Sequence, residues 1–106
     1  MTFEKREEII SLYDAYGLLL TDKQRDYFES YYFDDLSISE IASNFEVSRN
    51  AVFDQIKRVN LILMDYEEKL KLVDKTSRIE KLKLSKSQKE EILNILKEWS
   101  TWHLIA

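Results

Sequence analysis

With 106 residues, 44% of them hydrophobic and 34% charged, the chain is large enough for one packed domain and too apolar to stay unfolded. One glycine and no proline argue against sandwiches and barrels, whose tight turns consume both, so an all-α fold is expected. The absence of cysteine excludes disulfide and thiolate chemistry, and a net charge of −4 sets the whole chain against a phosphate backbone.

The charge is unevenly spread. Residues 1–36 hold four basic and nine acidic side chains, residues 37–60 three of each, and residues 61–106 nine basic and eight acidic. The first third should therefore repel nucleic acid. The start, MTFEKREEII, lacks the apolar run of a secretion signal, and no stretch is long and apolar enough for a membrane span. A cytoplasmic protein is the expectation.

In chain order, Phe3, Ile9, Ile10, Leu12, Tyr13 and Tyr16 recur at helical spacing and predict a helix over 3–16. Gly17, the only glycine, stands where a left-handed C-terminal cap would want it. Thr21 and Gln24 form a capping box that opens a second helix running to about Phe33. Its aromatic set, YFESYYF, would be a base-stacking platform or core. The interleaved Asp26, Glu29, Asp34 and Asp35 favour core, with Phe28, Tyr31 and Tyr32 inward and Tyr27 near the rim.

Ser37 with Glu40 caps a third helix, Phe45-Glu46-Val47 turns the chain, and Ser48 caps a fourth. That fourth helix has no evident stop before Leu72. It carries Val52, Ile56, Val59, Leu63, Tyr66 and Leu70 at spacings of three and four, and its far half needs cover from another helix. A homodimer is expected on that ground. Residues 73–83 are charged and poor in apolar side chains, a helical extension or a linker. Ser85 with Gln88 caps a last helix through Ile92, Leu93, Ile95, Leu96 and Trp99. The expected division is 1–72 as the main domain and 73–106 as an extension with a C-terminal helix.

The segment SISEIASNFEVSRNAVFDQIKR has the pattern of a helix-turn-helix. Ala42 would lie where the two helices cross, with Ile38, Ile41, Phe45, Val47, Val52 and Ile56 as shared core. Arg49, Asn50, Phe53, Asp54, Lys57 and Arg58 would then face outward as a nucleic-acid-binding surface. Arg49 and Asn50 are of types that read guanine and adenine edges. Lys57 and Arg58, with Arg49, Lys69 and Lys71, would make a discontinuous basic edge. Glu46 is the irregularity, because a turn with positive φ costs a glutamate about 1 kcal/mol.

His103 is the only histidine and has no partner ligand or oriented base near it in sequence, so no metal site, no cofactor and no catalysis are expected. Trp99 and Trp102 share one side of the last helix. They either dock on the chain's own core or anchor a partner.

The run LLLTDKQRDYFESYYFDDLSISEIASNFEVSRNAVFDQIKR, followed by YEEKLKL, resembles the YlxM family of small bacterial proteins. The resemblance covers Leu18 to Leu72 through Thr21, Gln24, Arg25, Leu36, Ser37, Glu40, Ala42, Ser48, Arg49, Val52, Asp54 and Lys57 among others. It implies a helix-turn-helix similar to region 4 of sigma factors. Because the family's genes lie beside those for signal recognition particle components, it also implies a role in that pathway. Family members often have asparagine where this chain has Glu46. The partners expected are the particle's protein or RNA, with DNA and a sequence-specific regulator as the alternative. A protein–protein adaptor that uses the motif only as a scaffold is the third reading.

Overall fold

The computed structural model describes residues 3–105, with side chains for residues 5–98. All regular structure among the described residues is helical: α1 (Phe3–Tyr16), a 3-10 turn (Gly17–Leu19), α2 (Asp22–Tyr32), α3 (Ile38–Phe45), α4 (Arg49–Leu70), α5 (Leu72–Glu80) and α6 (Lys86–Ile105).

Helix starts follow the serine and threonine caps. Thr21 Oγ1 accepts the Gln24 N–H at 3.1 Å while Gln24 returns its Oε1 to the Thr21 N–H at 2.9 Å. Ser37 with Glu40 and Ser85 with Gln88 repeat the same reciprocal pair. Ser48 caps α4 by accepting the Ala51 N–H at 3.1 Å, without a return bond because Ala51 has no acceptor.

Helix α4 is the spine. Val52, Ile56, Val59 and Leu63 are buried along it, and α1, α2 and α3 all pack against it. Ile9, Leu12 and Tyr16 of α1 and Tyr27, Phe28 and Tyr32 of α2 complete the core with Ile41 and Ala42 of α3. Each large aliphatic group buried this way contributes about 1.5–3 kcal/mol. The far half of α4 therefore finds its cover inside the chain. The homodimer inferred from a lack of cover loses that ground, since Val59 and Leu63 are fully buried within one copy.

Three further expectations change. Tyr27 is core, at 1% exposure, with its ring 4.7 Å from that of Phe45, while Tyr31 is only half-buried. The crossing of α3 over α2 sets which aromatic turns inward, and helical spacing alone does not encode it. Gly17 is not left-handed, because it opens the 3-10 turn. Its need is room: a Cβ there would meet the Tyr13 ring at 3.2 Å. Finally, α4 stops at Leu70, and Lys71 alone, at φ 58° and ψ 32°, separates it from α5. Residues 72–80 are thus helix, with Leu72 buried and α5 packed against α1 and α6.

Candidate nucleic-acid interface

The turn between α3 and α4 adopts the geometry that the sequence resists. Glu46 is left-handed, at φ 55° and ψ 45°. Its N–H donates to the Ser43 carbonyl at 3.3 Å and the Val47 N–H donates to the Ala42 carbonyl at 3.0 Å. These are the two bonds of a Schellman ending, which satisfy the last carbonyls of α3 and redirect the chain at once. Ala42 is buried between α3 and α4, with Ile41, Val52 and Ile56 around the same core. The helix-turn-helix is complete despite Glu46.

Arg49, Asn50, Phe53, Asp54, Lys57 and Arg58 are all exposed, as expected. At 100° per residue they occupy one broad arc of α4 opposite Val52, Ile56, Val59 and Leu63, over about 14 Å of axis. Arg49, Lys57 and Arg58 make no ion pair among the described residues. Lys69 does not extend their edge freely, because its ammonium is held by Asp65 at 2.8 Å, about 16 Å along the axis from Arg58. The accessible cations of the outward face reduce to three, with Asp54 among them.

The sequence reading missed what lies beside this face. An open cleft of about 650 Å³ runs between α1 and α4, lined by Lys5, Glu8 and Ile9, by Tyr31, Tyr32 and Ile38, and by Phe53, Ile56, Lys57, Asn60, Leu61 and Met64. Phe53, Leu61 and Met64 are 59%, 56% and 46% exposed, a high value for three large apolar side chains on one helix. Their signal was present: 53, 57, 61 and 64 form a second line at helical spacing, beside the core line. Two recognition residues, Phe53 and Lys57, belong to this cleft as much as to the outward face.

The cleft wall is held by polar contacts around Tyr32. Asn60 donates through Nδ2 to the Tyr32 hydroxyl at 2.8 Å, while its Oδ1 is buried without a donor. The Arg6 guanidinium donates to the Tyr32 carbonyl and lies 5.3 Å from the centre of the Tyr32 ring. Burial raises the Tyr32 phenol above its ordinary value, and the Asn60 bond opposes that rise. The partner-contact residues Trp99 and Trp102, and His103, lie outside the described side chains. Among the described residues no group of three or more His, Cys, Asp or Glu could hold a metal ion, and no helix is long and apolar enough to cross a membrane.

A family of helix-turn-helix proteins described as YlxM / p13 like matches residues 3–100. The match therefore runs well past Leu72, where the resemblance read from the sequence stops. The chain is 51% identical to the UPF0122 protein of Exiguobacterium sp. over 82 residues, which are 77% of each chain. It is 58% identical to that of Limosilactobacillus reuteri over 72 residues, covering 68% of this chain and 64% of the relative. With that of Bacillus cereus it shares 46% identity over 99 residues, 90% of each chain. The chain belongs to the UPF0122 family of YlxM / p13-like helix-turn-helix proteins.

Proposed function

We propose that this member of the family is an accessory or regulatory protein of the signal recognition particle pathway, working in the cytoplasm as a homodimer and catalysing nothing. It acts by binding the particle's RNA or protein with the outward face of α4. The pathway rests on the resemblance carried by residues 18–72. The mode of binding rests on one observation: a complete helix-turn-helix presents Arg49, Lys57 and Arg58 interleaved with Phe53 and Asp54, on a helix whose next turns expose Leu61 and Met64.

Three cations neutralise few phosphates, and the acidic α1 and α2 flank them, so a long duplex is a poor ligand. A cation beside an exposed aromatic suits unpaired bases or a mixed polar and apolar protein surface better. Labelled particle RNA, with and without the particle's protein subunit, and random duplex DNA would be compared at physiological salt. Selective binding to the particle or its RNA, lost on Arg49→Glu, is expected. Equal or stronger binding to duplex overturns this reading.

A sequence-specific DNA regulator is the second reading, favoured by Arg49 and Asn50 in the first exposed turn of α4, where a recognition helix meets base edges. Binding to neither nucleic acid, nor to the particle, would leave the motif as a scaffold for a different protein partner.

A further inference from the structure

We propose that the cleft between α1 and α4 seats the outer face of α6 from a second copy of this chain, so that two copies dock reciprocally about a two-fold axis. This rests on the homodimer named above and assigns its interface.

Each copy leaves one concave and one convex apolar face open. The concave face is the cleft of about 650 Å³, with Ile9 and Ile56 in its wall and Phe53, Leu61 and Met64 at its edge. The convex face belongs to α6. That helix packs on α5 with Leu93 and Leu96 half-buried, and turns Ile92 and Ile95 outward at 37% and 61% exposure. A helix held along one thin seam is marginal in water and gains from a second contact.

The shape agrees with an unfinished surface. The radius of gyration is 15.9 Å, with extents of 49 × 32 × 21 Å. A compact chain of this length has a radius near 13 Å. The excess is length, and it leaves α6 available to a neighbour.

Charge selects the occupant. On a helical wheel Glu91 and Glu98 edge the Ile92 and Ile95 stripe on the side away from Leu93 and Leu96, and Lys86, Lys89 and Lys97 fall elsewhere. The cleft offers Lys57 and Lys5 among its lining, with Glu8 as the one acidic member. Acidic edge and basic rim lie on the same chain. A groove and a ridge that complement each other are both filled, with none left over, only when two copies pair with closed symmetry. In that pair Phe53 and Lys57 are covered, while Arg49, Asn50 and Arg58 do not line the cleft and stay outside it.

Sedimentation velocity of the full chain across micromolar concentrations tests this, with circular dichroism confirming that each variant is folded. The wild type is expected to be a dimer, and Leu61→Glu in the cleft and Ile95→Glu on α6 should each weaken it at least about tenfold. An equimolar mixture of the two variants recreates one intact seat, from the cleft of one and the α6 of the other, and should associate more tightly than either alone. Lys57→Glu should weaken the dimer, and Glu91→Lys with Glu98→Lys should restore it. A monomeric wild type overturns both the seat and the homodimer. A dimer that survives Ile95→Glu, or a mixture no tighter than its components, overturns the seat alone. Particle binding is read separately through Arg49→Glu, so that failure is distinguishable.

Discussion

Tyr16 at the end of α1 and Glu67 near the end of α4, 51 residues apart, are joined by a hydrogen bond of 2.6 Å from the phenol to the carboxylate. The same phenol oxygen accepts the Leu72 N–H at 3.0 Å, and Glu67 accepts the Val73 and Asp74 N–H groups at 3.0 and 3.2 Å. Lys71, which precedes α5, has no acceptor with which to cap it. Glu67, from the preceding helix, supplies the missing N-cap, and its negative charge suits the positive end of the α5 dipole.

Glu67→Ala should therefore destabilise the fold by about 2 kcal/mol, since it strands amide donors of α5 and the Tyr16 hydroxyl together. Urea unfolding reads the total. Hydrogen exchange locates it, with the amides of α5 losing protection before those of α2 and α3. Equal loss throughout the chain would contradict a local clamp.

Alkaline pH should loosen the same contact. Burial, reinforced by the bond to Glu67, holds the Tyr16 phenol above its ordinary value, and Tyr13 is raised by burial and Glu29. A raised phenol keeps its proton in the folded state after the unfolded chain has lost it. The stabilisation is whole below a pH of about 10 and is lost as pH climbs from there towards the raised value. Melting temperature against pH should fall in that range, and Tyr16→Phe should make the fall shallower.

Glu46→Gly should stabilise the protein by about 0.5–1 kcal/mol, because glycine relieves the left-handed strain and gives back part of the gain as unfolded-chain entropy. Urea unfolding measures it. A loss of stability would mean that the glutamate side chain supports the turn in a way its exposed position does not reveal.

Duplex binding, where it can be measured, should show a shallow salt dependence. Arg49, Lys57 and Arg58 contacting one phosphate each would give a slope of log K against log salt of about −3. A slope several units steeper would require cations outside the arc, and would count against the face described.

The caps and the motif were legible because they are local. A serine or threonine followed three residues later by glutamate or glutamine states its own geometry, as Thr21, Ser37 and Ser85 do. The core line Val52, Ile56, Val59 and Leu63 was equally plain. What the sequence hid depends on distant pairs. The stop at Leu70 is made by Lys71 in a conformation that lysine disfavours, held by Tyr16 from another helix. The exchange of Tyr27 for Tyr31 as core depends on where Phe45 falls. The cleft needed two helices to be placed before Leu61 and Met64 could be recognised as one of its walls.

Because Lys71 is the entire connection between α4 and α5, the direction of everything after it is governed by one pair of backbone torsions and one carboxylate. A helix of 20 residues is about 30 Å long, so a rotation of about 20° at that joint would carry the far end of α6 some 10 Å. The tail is a lever with its fulcrum beside Glu67. Any event that weakens the grip of Tyr16 re-aims Ile92 and Ile95 without disturbing the helix-turn-helix at the other end of α4.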